Sequence, residues 1–304
     1  RQQPGELGTE PFSIGIWLGG STTPNSRDDA KKKLGKLRKE KNSENPFIID
    51  KCPWCNAQMG KVESKKVLGY EQNAGTVGFK CSDSACEFHN SLPIYVIDED
   101  IYEHRPSLVI GTVDKFAQLA WKPEARALFG IDASGQRQNS PPGLIIQDEL
   151  HLISGPLGSV VGLYETVIEE LCTDRRGPET IKPKIVCSTA TIRHYAEQVK
   201  ALYGREDVVL FPAPGIDASN SFFSRYARNE DGSLQRGRIY LGVNAPGLGS
   251  LLTAQVRTSA ALLQAPVSLT DQERDPWWSL LMFFNSLKDL GYSLSLFQSD
   301  VPDY

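Results

Sequence analysis

The chain has 304 residues, 40% of them hydrophobic and 23% charged, with a formal net charge of −4. That is the make-up of an ordinary globular protein with room for two domains, or for one large domain with an insertion. A charge so near neutral excludes capture of nucleic acid by a global field and leaves local basic patches as the electrostatic route. The longest apolar stretch, around Trp277 to Phe284, is too short to span a bilayer.

In chain order, Phe12 to Leu18 predicts a buried strand, broken by Gly19-Gly20-Ser21-Thr22-Thr23. Asp28 to Lys41 predicts a helix rich in lysine, read first as a solvated face, and Pro46 ends it. From Lys51 to about Asn90 the composition becomes small, polar and cysteine-bearing, which marks an inserted module. Then strand and helix alternate: a strand over Ser107 to Ile110, a helix over Val113 to Trp121, and a strand over Leu144 to Ile146. A helix over Val160 to Cys172, a strand over Lys184 to Cys187 and a helix over Ile192 to Tyr203 follow. Such alternation predicts a mostly parallel sheet with helices on both faces. Beyond a loop-rich boundary near Pro214 to Arg236, a strand (Arg238 to Val243), a helix (Gly249 to Leu263) and a strand-to-helix unit (Leu280 to Leu290) are expected.

Cys52-x-x-Cys55 and Cys81-x4-Cys86 form two short knuckles whose four soft thiolates suit a closed, structural zinc site. His89 is an alternative to Cys86 as the fourth ligand. Cys172 and Cys187 stand apart on apolar faces and are expected to be buried. Nothing in this pattern resembles a secreted disulfide scaffold, so a reducing cytoplasm is the expected setting. No signal peptide is visible and the first residue is Arg1, so the chain is expected to start inside a longer protein. His104 and His194 have no partner pattern, and Trp277-Trp278 are expected in a core or domain interface.

The apolar run Leu144-Ile145-Ile146 leads into Gln147-Asp148-Glu149-Leu150-His151. A buried parallel strand that ends in an acidic pair can deliver carboxylates to the magnesium of a nucleotide. Downstream, a second strand ends in Ser188-Thr189-Ala190-Thr191, at the distance of the next strand–helix–strand unit. With these two segments the chain resembles the superfamily 2 helicases, Asp148 to His151 standing as motif II and Thr189-Ala190-Thr191 as motif III. The resemblance implies a RecA-like domain, with Asp148 on magnesium, Glu149 on the attacking water, and His151 coupled to Thr189 and Thr191. Gly19-Gly20 resembles the paired glycines that approach a phosphate, and Gly111-Thr112 with Lys115 resembles the motif that grips the tracking strand. Phe283-Phe284-Asn285-Ser286 resembles motif IV, the start of a second RecA-like domain. The implied organisation is 1–45 as part of the first RecA-like domain and 46–100 as an inserted zinc-ribbon-like module. Residues 101–213 complete the first domain, and 214–304 supply a linker and the start of the second.

The longer segments Val109 to Ala117, Gln147 to Gly158 and Phe284 to Leu287 are similar to the helicase subunit of the bacterial DISARM anti-phage system. That resemblance implies ATP-driven action on DNA, with ATP, Mg2+ and Zn2+ as cofactors and a partner protein subunit in a defence complex. One departure matters: no Gly-x-x-x-x-Gly-Lys-[Ser/Thr] occurs in the sequence. The arginine-bearing motifs expected after motif IV are not found before Tyr304 either. The chain is therefore expected to be an internal fragment, inactive in ATP hydrolysis by itself. The alternative is a non-catalytic, zinc-bearing nucleic-acid or protein-binding module on a degenerate ATPase scaffold.

Overall fold

A computed structural model of the protein describes residues 11–40, 42–62, 66–73, 75–190, 193–213, 215–217 and 220–301. It divides into two compact units, Arg1–Leu210 and Phe211–Tyr304.

In the first unit the apolar run after Phe12 forms strand β1 (Ile14–Trp17), which becomes the centre of a three-stranded parallel sheet. Ser26 then caps helix α1 (Arg27–Lys39), its hydroxyl accepting the Asp29 amide at 3.2 Å. Asp28 and Asp29 in the first turn, with Lys36, Arg38 and Lys39 in the last, complement the helix dipole. Ala30, Leu34 and Leu37 line the buried face of α1 and pack into one core with Phe47, Met59, Tyr70, Val77, Phe79, Cys52, Cys81 and Cys86. The cysteine-bearing segment is thus continuous with α1 through shared apolar packing. It consists of two small antiparallel ribbons, β2 (Gly60–Lys61) with β3 (Val67–Leu68), and β4 (Tyr70–Gln72) with β5 (Val77–Phe79). Such short ribbons are marginal alone and depend on this core and on the cysteine cluster.

β6 (Ile94–Tyr95) and β7 (Leu108–Gly111) pair in parallel with β1 on either side, in the order β6-β1-β7. The register sets Ile14 opposite Leu108 and Trp17 opposite Gly111, so the loops after β1 and β7 leave the sheet side by side. Between them in sequence, α2 (Asp98–His104) packs on β1. The helix expected over Val113 to Trp121 is shorter than the periodicity implied. One α turn, α3 (Val113–Phe116), gives way to a 3-10 turn over Ala117–Ala120, as Phe116 and Leu119 turn into the core around Trp17.

β8 (Leu144–Gln147) and β9 (Lys184–Cys187) form a separate parallel pair, joined through α4 (Gly155–Cys172) and followed by α5 (Tyr195–Tyr203). α4 and α5 cover one face of this pair through Val161, Leu202 and Tyr203. The other face carries Leu144 and Ile146, both more than half exposed. Helix cover is thus seen on one face of this pair among the described residues. Among the described residues two separate parallel sheets also stand where a single sheet was expected. The described fold is mixed α/β with parallel sheets.

The second unit contains α6 (Leu251–Gln264), α7 (Asp271–Arg274) and α8 (Leu287–Asp300). The strands expected over Arg238 to Val243 and before Leu287 are not formed; both segments are irregular, and Ile239, Tyr240 and Phe283 are exposed. A strand needs a neighbour to pair its amides and carbonyls, and the described residues of this unit offer none at either place. Trp277 and Trp278, expected in a core or domain interface, are exposed and so are not core residues of this unit. Among the described residues no helix is long and apolar enough to cross a membrane.

Candidate functional site

Gln147 pairs with Cys187 at the ends of β8 and β9, so the residues that follow each strand emerge together. Ser188 is the first of them, and its hydroxyl donates to the Asp148 carboxylate. The Glu149 amide donates to the same oxygen at 2.9 Å. These two donors, Ser188 foremost, hold the Asp148 carboxyl below the usual carboxylate range, so it is anionic at neutral pH.

Glu149 itself adopts the left-handed conformation (φ 51°, ψ 45°), which non-glycine residues seldom occupy and which clusters at functional sites. Its carboxylate is exposed and lies 3.2 Å from Nδ1 of His151, which also faces the Thr189 hydroxyl at 3.3 Å. Asp148, Glu149, His151 and Thr189 thus form one polar cluster across the two strand ends. Thr191 lies outside the described residues.

The loop between β8 and α4 is held from beneath. Leu150 donates its amide to the Ser188 carbonyl at 3.0 Å, and Gln198 of α5 donates to the carbonyls of Leu150 and Ile153 at 2.9 and 2.7 Å. Sequence reasoning did not single out Ser188 or Gln198. Ser188 stood beside the matched motif and could have been found by asking which strand-end hydroxyl faces Asp148. Gln198 had no local signal.

A second site lies where the loops after β1 and β7 meet. Gly19, Ser21, Thr22, Thr112, Asp114, Lys115 and Gln118 line one groove. The Gly19 carbonyl accepts the amides of Thr22 and Thr23 at 2.8 and 3.1 Å, closing a tight turn. A Cβ at Gly20 would stand 2.7 Å from Nδ2 of Asn25, so a larger residue there would displace the Asn25 side chain. Thr112 precedes α3, and its hydroxyl makes no capping bond.

Lys115, expected as a nucleic-acid contact, has a fully buried side chain. Its ammonium donates to Asp98 at 2.7 Å and to Asn25 at 3.1 Å, and it sits 5.8 Å from the centre of the Trp17 ring. The charge is therefore spent internally, and Lys115 ties the Gly20 turn, α2 and the Thr112 turn together. Burial raises the Asp98 carboxyl despite Lys115, and its Oδ1 has no hydrogen-bond partner among the described residues. Oε1 of Gln118, in the groove wall, is likewise buried without a partner.

The third site is the cysteine cluster. The sulfurs of Cys52, Cys55, Cys81 and Cys86 all lie within 4.8 Å of one another, with Cys52–Cys86 at 4.0 Å and Cys55–Cys81 at 3.4 Å. Four sulfurs about 2.3 Å from one tetrahedral ion would be separated by just under 4 Å, so the donor set fits zinc. The Asp83 and Phe88 amides donate to the sulfurs of Cys81 and Cys86 at 3.4 and 3.5 Å, an arrangement that favours thiolate. Without a cation, desolvation pushes the Cys81 thiol up to about 12. His89 turns Nδ1 toward the Cys86 carbonyl at 3.0 Å and is not part of the sulfur cluster.

No family model matches the chain. The DISARM protein DrmA of Bacillus paralicheniformis is 35% identical to it over an alignment of 339 positions. That alignment covers 99% of this chain but 30% of the relative's own length. Two parallel sheets with polar strand ends and a four-cysteine cluster thus belong to a chain that resembles, over nearly all its length, one part of DISARM protein DrmA.

Proposed function

We propose that this chain is part of an ATP-dependent superfamily 2 DNA helicase or translocase acting in bacterial anti-phage defence. The observation that supports it best is the coupled cluster at the ends of β8 and β9, where Ser188 orients Asp148, and His151 faces both Glu149 and Thr189. In this reading Asp148 holds the magnesium of the nucleotide, since an anionic strand-end carboxylate suits a hard cation. Glu149 orients and deprotonates the attacking water. His151 links Glu149 to Thr189, and Thr191 belongs to the same segment, so the nucleotide state is communicated to the second strand end.

Gly19, Gly20 and Thr112 grip one DNA strand through backbone and hydroxyl contacts, which are independent of sequence. Lys115 serves there as a positioning residue. The parallel sheets form part of a RecA-like domain, and the 214–304 segment begins a second. Zinc in the cysteine cluster is structural. The setting is the cytoplasm, with DNA and a defence-complex subunit as partners.

The test is made in a protein that carries this chain together with a phosphate-binding loop. Glu149→Gln is expected to keep Mg·ATP binding and to lose DNA-stimulated turnover by orders of magnitude, the mark of an interaction made in the transition state. Asp148→Asn is expected to weaken magnesium-dependent nucleotide binding as well. Undiminished turnover in Glu149→Gln overturns the assignment. The second reading, a non-catalytic binding module on a degenerate ATPase scaffold, holds if a Gly-x-x-x-x-Gly-Lys-[Ser/Thr] segment is absent from the whole protein that carries this chain. It predicts no nucleotide binding in any protein that carries the chain.

A further inference from the structure

The groove between the Gly19 turn and Thr112 is electrostatically unsuited to hold a polyanion by itself. Its lining lysine, Lys115, is neutralised by Asp98, and Asp114 adds an exposed negative charge. Cations must come from beside it. Lys33 of α1 donates to the Gly20 carbonyl at 3.2 Å, which fixes this helix directly against the turn.

The orientation of α1 follows from its sequence. Ala30, Leu34 and Leu37 are buried, and at about 100° per residue the face opposite them carries Lys32, Gly35, Lys36 and Lys39, with one carboxylate, Asp28, at its N-terminal end and paired with Lys31. Lys32, Lys36 and Lys39 are exposed. Neither Lys32 nor Lys39 has an ion-pair partner among the described residues, and Lys36 has only a loose one, Glu40 at 3.7 Å. From Lys32 to Lys39 the helix rises by about 10 Å, the axial span of roughly three phosphates along one strand.

Gly35 supplies an independent observation. Glycine is a poor helix former, and Gly35 is neither a cap nor at a positive φ. A Cβ added there would meet nothing within 4 Å, so no packing inside the molecule requires glycine. What glycine does provide is a helix backbone open to close approach from outside, in the middle of three lysines.

We propose that the outward face of α1 is a phosphate-binding ramp. It extends the DNA path from the Gly19–Thr112 groove toward the cysteine module, with Lys32, Lys36 and Lys39 neutralising successive phosphates over the gap left by Gly35. This rests on the reading of the groove as a DNA contact. The α1 face supplies most of the affinity, and the groove supplies placement.

The test is binding of the 304-residue chain to a fluorescent single-stranded DNA oligonucleotide, followed by anisotropy at several salt concentrations. Replacing Lys32, Lys36 and Lys39 together by Gln is expected to weaken binding roughly tenfold to a hundredfold and to reduce the slope of log K against log salt by about two. The triple Lys→Arg variant keeps wild-type affinity. Gly35→Gln raises the melting temperature and still weakens binding several-fold, an opposition that a merely structural glycine would not produce. Unchanged affinity and slope in a folded triple Gln variant overturn the ramp. Ser21→Ala with Thr112→Val separates the two ideas. If it weakens binding and the triple Gln variant does not, the ramp falls and the groove stands. If it has no effect and the triple variant does, the ramp stands without the groove. No DNA binding by the wild-type chain overturns both.

Discussion

The ammonium of Lys115 and the carboxylate of Asp98, 2.7 Å apart and both fully buried, join two turns that the chain reaches far apart in sequence. Asn25 completes the joint, 90 positions before Lys115. Removing water from both charges costs more than their attraction returns unless every lone pair is satisfied, and Oδ1 of Asp98 is not. The pair is therefore a device for placing the Gly20 and Thr112 turns, with little net contribution to stability.

This has a measurable consequence. Lys115→Met alone is expected to destabilise the protein by about 3–5 kcal/mol, because it strands a buried carboxylate. Lys115→Met combined with Asp98→Leu should recover most of that loss in a denaturant titration. Equal destabilisation by the single and the double variant would show that the ion pair is itself the source of stability.

Glu165, on the covered side of α4, offers a pH-dependent test. Burial first, and then the neighbouring Glu169, raises its carboxyl to about 7, against an unfolded value near 4.5. The folded state consequently holds this proton more tightly than the unfolded state. Its stabilising effect is complete below pH 4.5, declines as pH rises, and is gone above about pH 7, where a buried anion remains. Glu165→Gln should therefore match the wild type near pH 4 and exceed it at pH 8 by a margin on the order of 2–3 kcal/mol. A constant difference across that range would contradict the assignment.

The cysteine cluster leads to a third expectation. Cys52→Ser with Cys81→Ser should abolish stoichiometric zinc, as read by elemental analysis, whereas His89→Ala should retain it. Because Cys52, Cys81 and Cys86 share one core with Ala30, Leu34 and Leu37, metal loss should also loosen α1, lowering stability by several kcal/mol. Zinc affinity should fall as the pH is lowered, since protons compete for the thiolates. A melting curve that is indifferent to a strong chelator would argue against a structural metal.

Much of this was legible in the chain itself. The spacing of Cys52, Cys55, Cys81 and Cys86 predicted a cluster, because two short knuckles hold their sulfurs together by local geometry. Apolar runs before Asp148 and Ser188 predicted two parallel strands whose ends meet, and the register of β8 and β9 brings those ends together. The helix expected over Asp28 to Lys41 is present as α1 (Arg27–Lys39), within two residues at each end. These are signals carried within a turn or a few residues.

The tertiary structure decided the rest. Whether Lys115 faces solvent or a carboxylate depends on Asp98 and Asn25, which no local pattern relates to it. The periodicity from Val113 to Trp121 suited one long helix, yet packing around Trp17 split it into an α turn and a 3-10 turn. Gln198 reached the loop after Asp148 only because α5 packs against α4. Arg238 to Val243 had strand composition and formed no strand. Composition sets a preference, but an extended segment becomes a strand only when a neighbour pairs its backbone, and burial likewise belongs to the assembled molecule and not to any stretch of it.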